Sequence, residues 1–324
     1  MKLISYLAVF CWAVAAGGPG YAQAPAYPAK PVRIVVPFPP GGINDVVTRL
    51  IAPRLSESTG QSFVIENRGG ATGTIGAAVV AKAAPDGYTL LSVGSATASV
   101  APHLYASLPY DQLRDFAPIG RIASIASIVL VHPSLPANSM AELISLIKSK
   151  PGAITFGSGG AGGSQHVGAE LLRSLIGVQM THVPYKGGGP AMIDLLAGQV
   201  SMMIEPMPTA LPQLRSGKLR GLAITTLARS ATLPDLPTVD ESGVPGFDFT
   251  IWLGLFAPAG TPPEIIGTLN RELGTVLRAP AMRERLSQQG ADPVTDSPEE
   301  FAAYARGDFQ RWGQVVRASG MKLE

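Results

Sequence analysis

Cysteine is almost absent from this chain. Cys11 stands alone inside an apolar segment near the start, so neither a disulfide framework nor a cysteine-based metal site is available to hold the fold. Charge is scarce at 15% and nearly balanced, with 25 basic against 23 acidic residues. No dense Lys/Arg cluster occurs, which argues against a nucleic-acid partner. Histidine is limited to His103, His132, His166 and His182, far apart in sequence, and no His-Glu-x-x-His, Gly-x-Ser-x-Gly or Gly-Lys-Ser/Thr run is present. The signatures of zinc hydrolases, serine hydrolases and P-loop enzymes are therefore missing. This points to binding rather than catalysis, with no metal and no cofactor expected. Beyond Ala16 every apolar run is soon broken by Gly, Pro or a charge, so no later segment reads as a membrane span.

What is present begins with an export signal. Lys2 supplies a positive start, Leu3 to Ala16 an apolar stretch too short to span a bilayer, and Ala22-Gln23-Ala24 the small-x-small pattern of a cleavage site. Residues 1–24 are expected to be removed after Ala24. The rest, in a chain 46% hydrophobic with 37 glycines and 29 prolines, reads as a layered, well-buried fold. Short apolar strands alternate with helical patterns, the signature of parallel α/β units. Strands are expected at Val32–Val36, Phe63–Glu66, Thr89–Val93, Ile128–His132, Ile154–Phe156, Met180–Val183, Met202–Ile204, Leu222–Thr225 and Trp252–Ala257. Helices are expected at Val46–Leu55, Met140–Ser149, His166–Ile176, Pro190–Leu196, Pro263–Leu277 and Pro298–Ala318. The last carries Phe301, Tyr304, Phe309 and Trp312 on an amphipathic pattern suited to packing outside a sheet.

Two runs carry chemistry. In Val36-Pro37-Phe38-Pro39-Pro40-Gly41-Gly42-Ile43-Asn44-Asp45 a buried strand gives way to a Pro/Gly turn and a helix start, whose unpaired N–H groups attract an anion without a charged side chain. Val183-Pro184-Tyr185-x-x-Gly188-Gly189 repeats that pattern in the second half, suggesting two similar lobes that face a crevice. The other run is Phe156 to His166. It contains a literal G-x-G-x-x-G at Gly157, Gly159 and Gly162, but Thr181-His182-Val183 stands where a dinucleotide fold needs an acidic ribose ligand. A flexible glycine loop remains, with Ser164 placed to cap a helix or bond a ligand. His166 is expected to serve packing or capping. Glu205, at a strand end before Pro206, is open to two readings: a bond to a ligand hydroxyl or amino group, or a hydrogen bond bridging the lobes.

With Lys30-Pro31-Val32-Arg33, Glu66-Asn67-Arg68, Pro85-Asp86-Gly87-Tyr88, His182-Val183-Pro184-Tyr185-Lys186-Gly187 and Leu233-Pro234-Asp235-Leu236-Pro237-Thr238 added, the sequence resembles the Bug family, the extracytoplasmic solute-binding proteins of tripartite tricarboxylate transporters. The likeness runs from about Tyr27 to the C-terminus. It implies a two-lobed, clamp-like periplasmic-binding-protein fold of type II, with two α/β domains joined by a hinge. The lobes are expected at 25–125 plus 246–324 and at 126–245. It also implies a monomeric periplasmic protein that captures a small mono-, di- or tricarboxylate and delivers it to membrane permease subunits. A ligand sensor docking on a signalling receptor is the alternative. The implied ligand contacts are Phe38, Gly41, Gly42, Ile43, Asn44 and Asp45 in the first lobe and Gly162, Gly163 and Ser164 in the second. Ser95, Thr97, Tyr185 and Glu205 are added as further contacts. Ile43 and Asn44 stand where the family pattern is often small or hydroxylated, Gly163 where Thr or Ser is common, and Glu205 where Asp is more usual.

Overall fold

The structure, a computed structural model, describes residues 27–319; the expected signal segment lies outside the described residues. In chain order the principal elements begin with β1 (Val32–Val36), α1 (Ile43–Thr59), β2 (Phe63–Asn67), α2 (Thr74–Ala81), β3 (Thr89–Gly94), α3 (Ala101–Leu104) and β4 (Phe116–Val131). There follow α4 (Met140–Ser149), β5 (Thr155–Ser158), α5 (Ser164–Ile176), β6 (Thr181–Pro184), α6 (Gly188–Leu196), β7 (Met202–Pro206), α7 (Met207–Arg215) and β8 (Arg220–Ile224). The chain closes with β9 (Thr250–Pro258), α8 (Pro263–Arg278), α9 (Pro280–Gln288), β10 (Ala291–Pro293) and α10 (Pro298–Ser319).

The strands follow the order β2-β1-β3-β9-β4-β7-β5-β6, with β8 and β10 also paired to β4. The units β1/β2, β1/β3, β5/β6 and β5/β7 are parallel, as the alternation of strand and helix predicts. The expectation of parallel units throughout needs correcting at the centre, where β9 runs antiparallel to β3 and β4, and β4 antiparallel to β7, β8 and β10. β4 is shared by both halves. It pairs with β9 from Phe116 to Ala126 and with β7 from Ser127 to Val131.

The sequence reading finds β4 only from Ile128, because its first half lacks period-two alternation. Register shifts at Pro118/Gly120 and Arg121/Ala123 bend the strand. The buried side chains Ile119, Ile122 and Ile125 consequently recur every third residue instead of every second. α2 escapes for another reason: Thr-Ile-Gly-Ala-Ala-Val-Val-Ala is apolar all round and shows no helical stripe. α7 is hidden by its prolines. Pro208 sits in the first turn, where no N–H is required, but Pro212 lies in the helix interior.

The core forms where the β-branched strands are covered on both faces. Val32, Ile34, Val35 and Val36 of β1 are fully buried, which suits a central strand between helical layers. α10 packs on β9 through Phe301, whose ring meets Trp252 edge-on at 5.4 Å, and the Trp252 indole N–H donates to Asp308 Oδ2 at 2.7 Å. Among the described residues no helix is long and apolar enough to cross a membrane.

Candidate functional site

A cleft of about 720 Å³ opens between the two halves of the sheet. Its wall is made at the carboxyl ends of β1, β3, β5, β6 and β7, where the chain turns into a helix or a tight turn. The starts of four helices converge there: Gly42 to Asn44 of α1, Gly163 to Gln165 of α5, Gly187 to Pro190 of α6, and Pro206, Pro208 and Thr209 of α7. The first-turn N–H groups of a helix have no carbonyl to bond within it, and the aligned peptide dipoles place partial positive charge at that end. Four such ends around one cavity make a cradle for an anion that needs no charged side chain.

The loop after β1 is fixed from behind. Gly41 adopts a left-handed backbone (φ 84°), and its N–H donates to Asp45 Oδ2 at 2.9 Å. Arg49 Nε donates to the same oxygen at 2.9 Å, and Asn67 Nδ2 donates to Asp45 Oδ1 at 2.9 Å and to the Phe38 carbonyl at 3.0 Å. Burial pushes the Asp45 carboxyl up, but the bonds from Arg49, Gly41 and Asn67 outweigh it and hold the group below its ordinary value. The buried Asp45 is therefore an ionised brace behind the loop. Next to it, Asn44 lines the cleft while its amide Nδ2 is buried and makes no hydrogen bond within the protein. A carboxylate oxygen is the natural acceptor for such a donor.

The glycine loop after β5 is built for close approach. A Cβ on Gly159 would lie 2.7 Å from the Gly188 nitrogen, and one on Gly188 would lie 2.8 Å from Gln165 Nε2. The loops opening α5 and α6 thus touch backbone to backbone. Gly160 and Gly162 have φ of 132° and 76°, and the Gly162 N–H donates to His166 Nδ1 at 2.9 Å. His166 stacks on His182 with ring centroids 4.0 Å apart, and His182 Nε2 hydrogen-bonds Ser158 Oγ at 2.6 Å. Burial holds both imidazoles down to about 4, so both are neutral at physiological pH and the stack carries no like-charge repulsion.

At the base of the cleft Glu205, 3% exposed, accepts from Gln165 Nε2 at 3.1 Å through Oε2 and from the Thr209 hydroxyl through Oε1. Its bonds run to α5 and α7, both packed on the β7 side, so it does not bridge the two halves. Burial raises its carboxyl to about 7 despite the two donors.

Residues 47–321 match the model of the tripartite tricarboxylate transporter family receptor. The chain belongs to this family, to which the Bug proteins also belong. It is 40% identical to protein BugT of Bordetella pertussis over 324 residues, covering 100% of this chain and 99% of that one. Among solved structures it is similar to an R. palustris protein with adipate (TM-score 0.88, 38% identity, 91% of this chain and 99% of that one). It is also similar to MatC from Rhodopseudomonas palustris with bound malate (TM-score 0.84, 35% identity, 90% and 100%). The fold is that of two-lobed periplasmic binding proteins.

In this Bug-family cleft, nine of the thirteen residues singled out from sequence line the wall: Phe38, Gly41, Gly42, Ile43, Asn44, Ser95, Gly163, Ser164 and Glu205. The other four stand behind it. Asp45 and Gly162 shape their loops, Thr97 Oγ1 donates to the Thr72 carbonyl at 2.8 Å, and the Tyr185 hydroxyl donates to Asp194 Oδ2 at 2.6 Å. Sequence reasoning missed Gln165, Lys186, Thr209 and Ile251 as wall residues. Gln165 follows Ser164 directly and Lys186 sits in the repeated Val-Pro-aromatic loop, so both lay within reach of the motif. Thr209 and Ile251 reach the cleft only through tertiary packing.

Proposed function

We propose that this receptor is a periplasmic solute-binding protein that captures a small carboxylate between its lobes and delivers it to the permease subunits of a tripartite tricarboxylate transporter. The observation that carries the reading is the convergence of four helix N-termini on one cleft whose wall has Lys186 as its single basic side chain among the described residues. Hydrogen bonds from N–H to a carboxylate contribute roughly 1.5–3 kcal/mol each, so a few of them yield micromolar affinity after ordering costs. The adipate and malate of the two related structures are consistent with this ligand class. Export with cleavage after Ala24 and action as a monomer complete the reading. The lobes divide at residues 125/126 and 245/246, a division supported by the exchange of β4 partners between Ala126 and Ser127. Closure follows because a ligand touching both lobes favours the state in which they meet.

Thermal melting of the stripped protein against a panel of carboxylates, sugars and amines tests this. A ligand at a hundred times its Kd adds about 2.7 kcal/mol of stability, a shift of several degrees. A carboxylate is expected to give it, and stabilisation by neutral or cationic solutes alone overturns the reading.

A further inference from the structure

Two ionisable side chains line the cleft: Lys186, exposed at the rim, and Glu205, buried at the base. Near Lys186 an incoming carboxylate meets opposite charge. Near Glu205 it meets another carboxyl group, whose hydrogen-bond partners are both uncharged side chains. The flanking wall residues are Pro206, Pro208, Pro212, Met192, Ile193 and Ile251. The two donors to Glu205, Gln165 and Thr209, are uncharged and occupy one position on each oxygen.

Among the described residues no cation on the packed elements compensates Glu205. On α5, His166 is taken by Gly162 and the His182 stack, and Glu170 pairs with Arg173. Asp194 of α6 accepts from Tyr185, and Arg215 of α7 is exposed at the far end of its helix. Arg121 of β4 pairs with Asp296, and Arg220 of β8 donates to the carbonyls of Leu135 and Ala137. Burial has already raised the Glu205 carboxyl to about 7. A neighbouring ligand carboxylate raises it further, as in any pair of carboxyls that share one proton.

We infer that Glu205 is a specificity residue that holds the second carboxyl group of a dicarboxylate through a shared proton, so that wherever Glu205 is ionised in the free protein, ligand capture takes up one proton from solvent. The inference rests on carboxylate capture at the cleft. No covalent bond changes except the O–H formed at the shared site. An anion anchored on the helix ends thus reaches the base of the cleft only if its distal group tolerates Glu205. The chemical class favoured is an unsubstituted dicarboxylate long enough to span the two.

Isothermal titration of the protein with succinate, glutarate, adipate and malate, from about pH 6 to 8.5, tests this, because these carboxyls are essentially ionised over most of that range. For the unsubstituted diacids the affinity is expected to hold up to about pH 7 and then fall about tenfold per pH unit. Paired titrations in buffers of different ionisation enthalpy should count close to one proton taken up per ligand above pH 8. Glu205→Gln, whose amide mimics the protonated acid, should flatten the profile. The proton count on the unaltered protein decides the matter even if that variant folds poorly. Binding without proton uptake, a slope that survives in Glu205→Gln, or pH-independent binding of malate alone, with its hydroxyl serving an ionised Glu205, overturns the inference and leaves carboxylate capture standing. Absence of binding by every acid removes both.

Discussion

The hydroxyl of Thr72 donates to the carbonyl of Ala161 at 2.9 Å, tying the turn after β2 to the glycine loop after β5 across the cleft. Thr72 is held in the left-handed region (φ 54°), uncommon for a β-branched residue, with its carbonyl accepting from Thr97 Oγ1 at 2.8 Å and its hydroxyl 3.2 Å from the Tyr105 hydroxyl. A costly backbone conformation at a point where the turn meets the opposite loop suits a latch that favours the closed cleft. Replacing Thr72 by Val removes the bond while keeping the shape, and is expected to weaken ligand binding about two- to tenfold. Thr72→Ser keeps the hydroxyl and should bind as the parent does; titration of the two variants side by side checks this.

Gly42 and Gly159 are expected to respond differently to a side chain. At Gly42 φ is −75° and an added Cβ would meet only the Pro39 carbonyl, at an ordinary 3.6 Å. Gly42→Val should therefore fold with a melting temperature near the parent's. It should still lose about a hundredfold or more in affinity, because the side chain blocks approach to the N–H groups of α1. Gly159→Ala has no room beside Gly188 and should lower the melting temperature as well. Unchanged affinity in Gly42→Val, measured by titration, makes the loop a mere turn.

Asp45 braces the same loop without touching the cleft. Asp45→Ala strands the Gly41 N–H and removes one bond each from the Asn67 amide and from the Arg49 guanidinium, which keeps its bond to Asn67 Oδ1 at 3.1 Å, and is expected to cost about 1–3 kcal/mol in urea unfolding. Its lowered folded value means that its contribution is present above the ordinary carboxylate range and is lost as pH falls through the folded value. Asp45→Asn should accordingly flatten the acid limb of a stability profile recorded below about pH 4.

The His166–His182 stack sets a second acid response. Both groups have folded values lowered to about 4, so between the ordinary histidine value of 6.5 and 4 the unfolded chain binds more protons and stability falls as pH falls. Melting temperatures between pH 6.5 and 4 should drop for the parent. The drop should be smaller in His182→Phe, which keeps an aromatic ring on the stack but cannot be protonated. An equal drop in both proteins would show that the stack is not the titrating element.

The first strand, its Pro/Gly turn and α1 were legible because three signals coincide between Val32 and Leu55: a buried β-branched run, a turn composition and a helical pattern. The same local logic picked out Ser164, with Gly163 added by the family resemblance. It could not tell that Asp45 points back toward Arg49 and Asn67, because the direction of a side chain is fixed by partners from other elements. Nor could it see His166 stacked on His182, since His166 on α5 meets His182 on β6 only when β6 pairs with β5 and α5 packs against that pair. Of the glycines the resemblance implies as ligand contacts, Gly163 lines the cleft, as does Gly159, but Gly162 serves turn geometry together with Gly160. Thr209 was invisible because Pro208 and Pro212 mask the helix that carries it. β4 was half legible, its bulges having erased the alternation that marks a strand.

Isothermal titration of the protein, unfolded and refolded to strip bound ligand, with a panel of small carboxylates tests carboxylate capture most directly. Single-site binding of at least one member with a Kd of about micromolar order is expected. No heat from any carboxylate, with the refolded protein showing its native melting transition, contradicts it.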